Sequence, residues 1–527
     1  MVAMNSVDLQ NCLIFIFICI FSLLCYSLFF NKPKDSRGFK LPPSPPSLPI
    51  IGHLHLLLST LIHKSLQKIS SKYRPLLTLR IFNVPVVLIS SGSMALAYEI
   101  FFFLILLPKA KTKKLQRVGE EHQNKRKNWN KGSNRIEGLL STAGKERSLS
   151  LIVRSTSTLN TRNRFMRKLV ATKLLRPQAI EQSQGIRAEE LHRFYANLLD
   201  KANKKENVEI GKEVMKLTNN IICRMSMGRT CSEENSEAEK FRELVTKSMS
   251  FTKKIFFANM LRRPLEKLGI SLRSWEFDEF LERILVEHEE KLEVNQDKDM
   301  LDLLFEAYRD QKAEYDITRN QIKSLLLEIF LGGTDTSTQA TQWTMAEVVN
   351  NPNILRKLRE EIDFVVGTTR LIQESDLPNL PYLQAVVKEG LRMYPISPLL
   401  RTFRESCEIQ GFYIPQETIL VVNVYAVMSD PDSWEDPDEF KPERFLASSR
   451  SGQQGEKRER HEVPSFWRWK ERLSWIKSSL YLCRNCNRNN RINGDKVKLD
   501  ETVVGMSLKM AYPLKRTPVS RLHPFNF

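Results

Sequence analysis

From Asn11 to Phe30 the chain carries no charged residue, and isoleucine, phenylalanine and leucine dominate. About 20 apolar residues make a helix long enough to cross a bilayer, so this run is predicted to be a membrane anchor. Asp8 precedes it, and Lys32, Lys34, Arg37 and Lys40 follow it. The excess of positive charge on the C-terminal side places the rest of the chain in the cytosol. A cleaved signal peptide fits less well, because the run is long and its basic residues come after it. Next comes LPPSPPSLPIIG, Leu41 to Gly52. Its prolines fix φ and disfavour helix, which predicts a stiff, extended spacer. The predicted organisation is an anchor over 1–31, a basic stop and proline-rich hinge over 32–52, one large domain over 53–515, and a tail over 516–527.

The formal charge of +19 would ordinarily suggest nucleic acid or an anionic membrane as partner. Its distribution argues against nucleic acid. Residues 108–167 carry a net +12 and residues 457–491 a net +7, so the remainder is neutral. In neither segment do Arg and Lys interleave with aromatics on a regular element. The eight cysteines are scattered, and Cys12, Cys19 and Cys25 lie inside the apolar run. That is no disulfide framework and fits a reducing compartment.

The domain reads as mainly α with a smaller β part, an α+β chain. A short helix and a β-type stretch, Leu76 to Ile89, fall within 60–100. Arg164 to Glu293 is helical by spacing. A long helix is predicted over Arg319–Asn350, interrupted at Gly332-Gly333, with further helices near 352–366 and 378–393. Residues 407–428 alternate towards strands around a turn at Pro415-Gln416-Glu417, and 430–446 is loop-like. Residues 101–162 fit nothing: an apolar FFFLILL gives way to Lys, Arg, Asn and Ser without useful period.

Three short constellations carry chemistry. Phe330 to Thr338 reads FLGGTDTST. Each mid-helix glycine costs about 1 kcal/mol against alanine and lets another group approach the backbone. Gly333, Asp335 and Thr336 thus put an acid and a hydroxyl at a weakened point, which can hold water and pass protons. Equally, the hydroxyls can bond back to their own helix at a simple kink. The second constellation is Glu389 and Arg392, which share a helix face at i and i+3. The third is Pro442-Glu443-Arg444-Phe445, whose Arg444 could reach that pair and bridge carboxylate and carbonyls with its planar fork.

In this order and spacing, GGTDTS, KEGLR and FKPERF resemble the signatures of the cytochrome P-450 superfamily. The anchor and proline hinge resemble its plant microsomal members, and the likeness covers 1–100, 164–446 and 491–515. It implies a heme-dependent monooxygenase of the endoplasmic reticulum membrane, single-pass, with a cytosolic body. Such an enzyme takes electrons from an NADPH-dependent reductase and oxidises a small apolar plant metabolite, such as a triterpenoid or a flavonoid. By position, Thr336 resembles the threonine that delivers protons to bound oxygen, with Asp335 its acidic neighbour. Glu389, Arg392 and Arg444 resemble the triad that locks the core. Arg167 resembles an arginine that binds a heme propionate in a WxxxR pattern, although Asn163 occupies the tryptophan position. Arg401 resembles the second propionate arginine. The stretch before it is one residue short, which leaves Arg404 as a rival.

The superfamily's cysteine loop, F-x-x-G-x-R-x-C-x-G after PERF, would supply the thiolate that binds iron. It cannot be written here, because no glycine lies between Gly455 and Gly494. Cys483 and Cys486 form a CxxC without a partner pair, so no metal ligand set is predicted. Trp467, Trp469 and Trp475 suggest a cause. Each tryptophan codon is TGG, and read one base later it forces a glycine. Two of these glycines fall on the two of the missing pattern, and allowed codons over Pro464–Ser479 permit FGGGRRGCPG. Residues 461–490 are therefore expected to be out of frame, and 101–162 aberrant in the same way. Three readings follow: a monooxygenase whose written chain is defective in heme ligation, a heme-free remnant of the same fold, and a basic membrane-tethered nucleic-acid binder.

Overall fold

Among the described residues the longest helical stretch begins at a cap written into the sequence. In the computed structural model Thr318 Oγ1 accepts from the Gln321 backbone N–H, and Gln321 Oε1 accepts from the Thr318 N–H. This reciprocal box satisfies donors that every helix start leaves free. The structure describes residues 15–16, 40–48, 51–57, 61–82, 84–92, 94–95, 177–230, 237–260, 275–291, 299–309, 317–367, 369–403, 406–409, 411–446, 496–504 and 507–518. Segments 101–162 and 461–490, Arg167, Arg404 and all but Phe15 and Ile16 of the predicted anchor lie outside these residues. Among the described residues no helix is long and apolar enough to cross a membrane.

Among the described residues the α-helices of five residues or more are α1 (Ile62–Lys72), α2 (Pro177–Gln182), α3 (Gln184–Asn203), α4 (Ile210–Met227), α5 (Glu237–Met260), α6 (Trp275–Lys291), α7 (Met300–Arg309), α8 (Arg319–Phe330), α9 (Thr336–Asn350), α10 (Pro352–Val365), α11 (Pro381–Met393) and α12 (Val424–Met428). Proline stands in the first turn of both α10 and α11, where its missing N–H costs nothing. The strands are β1 (Leu76–Ile81), β2 (Val84–Ile89), β3 (Val208–Glu209), β4 (Leu399–Thr402), β5 (Cys407–Ile409), β6 (Phe412–Ile414), β7 (Ile419–Val422), β8 (Glu501–Val504), β9 (Ser507–Met510) and β10 (Lys515–Arg516). The described chain is thus mostly helical with a smaller sheet part, and the α9 end at Asn350 falls where the spacing put it.

One expectation is corrected. Residues 424–428 are helical and not part of the alternating strand run. Asn423 caps that single turn, its side chain accepting from the Ala426 N–H. Five apolar residues are too few to display a helical period, so alternation dominated the pattern.

The main sheet has the order β1-β2-β7-β4. β1 and β2 form an antiparallel hairpin, β2 runs parallel to β7 with Ile89 opposite Val422, and β7 is antiparallel to β4. The proline-rich stretch docks on this sheet. Thr78 N–H donates to Pro43 O at 2.8 Å and His53 N–H to Arg80 O at 2.7 Å. Gly52 adopts φ +64°, and a Cβ there would lie 2.0 Å from Arg80 O, so this contact needs glycine on both counts.

Two apolar clusters meet at the long helix. One gathers Trp343, Leu358, Val386 and Tyr394 with the sheet, and the other gathers Phe241, Leu301, Phe305 and Phe330. α9 lies between its neighbours with every residue from Ser337 to Val348 buried. Two of its hydroxyls bond back along the helix, Thr338 Oγ1 to Thr334 O and Thr344 Oγ1 to Ala340 O, whereas Thr341 Oγ1 is buried without a hydrogen-bond partner.

Candidate functional site

α8 and α9 are joined by a π-helical turn, Leu331–Asp335. A π turn inserts one residue into the ladder and is frequent at functional sites. Here Gly333 meets a packing demand. A Cβ on Gly333 would come within 2.4 Å of Ile222 Cδ1, so α4 approaches the turn closely on that side. Thr336 Oγ1 donates to Gly332 O at 2.6 Å, the bond-back geometry weighed for these hydroxyls. Thr334 Oγ1 is buried without a hydrogen-bond partner. A buried unpaired hydroxyl costs about 1–3 kcal/mol, which is tolerated here inside the turn.

Asp335 sits beside Thr336 in sequence, but its carboxylate bonds to a different element. Its side chain is 0% exposed. Lys509 Nζ lies 2.7 Å from Oδ1, and Ser507 Oγ donates to Oδ2 at 3.1 Å. Both partners belong to β9. The sequence reading missed them, and the only local signal was their alternation on one strand face.

Glu389, Arg392 and Arg444 come together. Arg392 donates through Nε to Glu389 Oε2 at 2.8 Å and through Nη2 to Oε1 at 2.9 Å. Its remaining donors reach Met428 O and Pro437 O, both at 2.8 Å. Arg444 Nε donates to Glu389 Oε1 at 3.1 Å and Arg444 Nη1 to Glu435 O at 2.8 Å. The Arg392 guanidinium also lies 5.4 Å from the Trp434 ring. Two arginine forks on one buried carboxylate therefore tie α11 to the Asp/Pro-rich loop and its Pro442–Phe445 turn.

A second buried pair, unseen in the sequence, joins α9 to the C-terminal end of α11. Tyr394 OH donates to Glu347 Oε1 at 2.5 Å, and the Tyr394 ring stacks on Trp343 at 4.2 Å. Burial pushes the Glu347 carboxyl above its ordinary range, against the hydrogen bonds from Tyr394 and Asn351. Burial and the neighbouring carboxylate push the Tyr394 phenol up as well.

The donor set can be compared with what heme needs. Arg401 lies on β4, its Nη1 donating to Leu400 O at 2.9 Å. Two cysteines are among the described residues. Cys223 is buried within α4, its Sγ 4.0 Å from Asn219 Oδ1 in the same helix. Cys407 is on β5, where burial pushes its thiol up to about 11. That is the opposite of the lowered pKa a ligating thiolate has. The arginine–carboxylate frame of Glu389, Arg392 and Arg444 is in place, and the described residues after Phe445 include no cysteine.

One group with metal-ligand chemistry occurs among the described residues, His288 with Asp299 and Asp302. Asp299 and Asp302 accept from one another's backbone N–H at 2.9 and 2.8 Å, and His288 Nε2 lies 2.7 Å from Asp302 Oδ1. These contacts serve the start of α7.

Comparison with known proteins adds the lineage. The family profile described as Cytochrome P450 matches residues 142–463. Cytochrome P450 705A12 of Arabidopsis thaliana is 56% identical over 99% of this chain and 99% of its own. Cytochrome P450 93B2 of Gerbera hybrida is 36% identical over 83% of this chain and 82% of its own. The 3,9-dihydroxypterocarpan 6A-monooxygenase of Glycine max is 31% identical over 96% of this chain and 98% of its own.

Proposed function

The chain belongs to the cytochrome P450 family, and on that premise we propose a membrane-anchored monooxygenase whose heme ligation is broken in the sequence as written. Membership implies heme, a reductase that supplies electrons, and an apolar substrate. Heme, when bound, supplies the activation of dioxygen. The rest of the work falls to the chain. Arg401, with Arg167, would pair the propionates. Thr336 Oγ1 holds its proton on Gly332 O, and rotation of that hydroxyl would offer the proton to the open side of the turn. Asp335 is the acid that resupplies it. Glu389, Arg392 and Arg444 hold the frame.

The observation that carries the defect is the lack of any glycine between Gly455 and Gly494. Without one, the loop that would follow Phe445 with a ligating cysteine cannot exist. The end of the family match at residue 463, close to where the frame is expected to change, supports the same reading. A small phenolic or triterpenoid plant metabolite is the proposed substrate class, which the pterocarpan monooxygenase among the relatives supports. The uncharged run Asn11–Phe30 and the basic residues after it support a single-pass anchor in the endoplasmic reticulum with a cytosolic body.

The lack of a described cysteine after Phe445 favours a second form of this reading, a folded remnant without heme. Sequencing the genomic DNA and transcript over 461–490 tests the frame: a second frame without a FGGGRRGCPG-like reading would sink it. The chain itself is tested by adding heme, reducing under carbon monoxide and recording the Soret band. No thiolate-type red shift with cooperative unfolding retained means a remnant. A red-shifted band means that Cys483 or Cys486 reaches iron and that the account of the missing loop is wrong.

A further inference from the structure

Asp335 carries a role in the proposed function that its geometry qualifies. The carboxylate is 0% exposed, and all its hydrogen bonds come from one strand, with Lys509 Nζ at 2.7 Å and Ser507 Oγ at 3.1 Å. Residues two apart on a strand share a face, so Ser507 and Lys509 act on the same side of β9. Leu508 between them points the other way and lines a cleft with Ile62, His63, Ile396 and Tyr425. The hairpin of β8 and β9 is therefore a wall with the acid on one side and a cleft on the other.

The π turn and the hairpin depend on each other. Removing the extra residue of Leu331–Asp335 would rotate position 335 by about 100° around the helix axis, since an α-helix has 3.6 residues per turn. The carboxylate would then leave Lys509. Conversely, without Lys509 the buried charge would lose its one cationic partner among the described residues, and a buried charge without a partner is strongly disfavoured.

We propose that Lys509, assisted by Ser507, is the positioning residue for the proton-delivering acid. It fixes the Asp335 carboxylate on the hairpin side of the π turn, so that the hairpin sets where the acid sits. The assignment of Asp335 as that acid rests on the monooxygenase reading, whereas the Lys509–Asp335 coupling does not.

The test is hydrogen exchange, followed by mass spectrometry, on the full chain in detergent, with Lys509→Met, Lys509→Arg, Asp335→Asn and the double variant Lys509→Met/Asp335→Asn. Lys509→Met is expected to raise exchange by about tenfold in 331–338 and in 501–510 and to leave α6 and α7 unchanged. Lys509→Arg restores protection, because charge and reach are kept. Asp335→Asn exposes the hairpin, and the double variant adds nothing to the single ones. Unchanged exchange at 331–338 in Lys509→Met, no rescue by Lys509→Arg, or a rise spread equally over α6 and α7 would each overturn the proposal. Exchange is read without heme. The coupling can thus fail while a thiolate-type carbon monoxide spectrum appears, and that spectrum can be absent while the coupling holds.

Discussion

Arg392 lies one helical turn from Glu389, with its Nε 2.8 Å from Glu389 Oε2 and both side chains fully buried. Burying an ion pair is weak evidence for stability, but removing one member leaves an uncompensated charge. Arg392→Met should therefore cost about 3–5 kcal/mol in chemical denaturation. Arg392→Lys should also be damaging, since a lysine cannot span Glu389, Met428 O and Pro437 O together. Arg444→Met removes one bond to Glu389 at 3.1 Å and several to backbone carbonyls, and should cost about 1–3 kcal/mol. Equal losses at Arg392 and Arg444 would show that the pair is not the centre of the network.

Gly390 occupies the α9–α11 contact, and a Cβ there would lie 2.0 Å from Thr344 Oγ1 and 2.9 Å from Thr344 Cβ. Two helix positions must separate to admit a methyl group. Gly390→Ala should lower stability by about 1–3 kcal/mol, the usual cost of overpacking, despite alanine's better helix propensity. Thr344→Ala in the same chain should recover part of that loss by removing Oγ1 and Cγ2. Gly333→Ala is the contrast. Its clash is with Ile222 Cδ1, the far end of a flexible side chain, so thermal denaturation should register less than about 1 kcal/mol.

These contacts also mark what a sequence can and cannot disclose. The long helix from Arg319 to Asn350, the turn at Pro415-Gln416-Glu417 and the meeting of Glu389 with Arg392 rest on local spacing, capping and turn chemistry. The Arg444 contact was legible because the order of the motifs resembles a known family. The Lys509–Asp335 bond and the Tyr394–Glu347 bond had no such signal. Each joins residues far apart in the chain, and lysine or glutamate in a polar stretch ordinarily signals a solvated face. Nor did the glycine pair disclose that α4 packs against it, because a glycine says only that something comes close.

Glu347 should make the protein less stable as pH rises. Its carboxyl titrates above the ordinary range because burial disfavours the charge, against the Tyr394 and Asn351 hydrogen bonds. In the window between its ordinary value and its raised one, the native state binds more protons than the unfolded state. Stability then falls as pH increases through that window. Glu347→Gln removes the charge while retaining an acceptor for Tyr394 OH. Melting temperatures should therefore favour the variant increasingly from acid to neutral pH, and a constant difference between the two chains would refute the assignment.

Glu501 should give the opposite slope and reports on the other face of the β8–β9 hairpin. Burial works to raise its carboxyl, but the bonds from His63 and Lys64 outweigh this and hold it below the ordinary range. Lys64 Nζ lies 2.5 Å from Glu501 Oε2, and His63 Nε2 lies 3.4 Å from the same oxygen. A lowered folded value means stability that is present above the ordinary carboxylate range and is lost as pH falls through the folded value. Glu501→Gln should flatten that acid limb of the melting curve and loosen β8 from α1. The hairpin is pinned to α1 by Glu501 and to the π turn by Lys509, so the two attachments should couple. In a double-mutant cycle Glu501→Gln and Lys509→Met should depart from additivity by more than about 0.5 kcal/mol, the limit within which distant independent sites add. Strict additivity would mean that the strands respond separately and that the hairpin is no rigid lever.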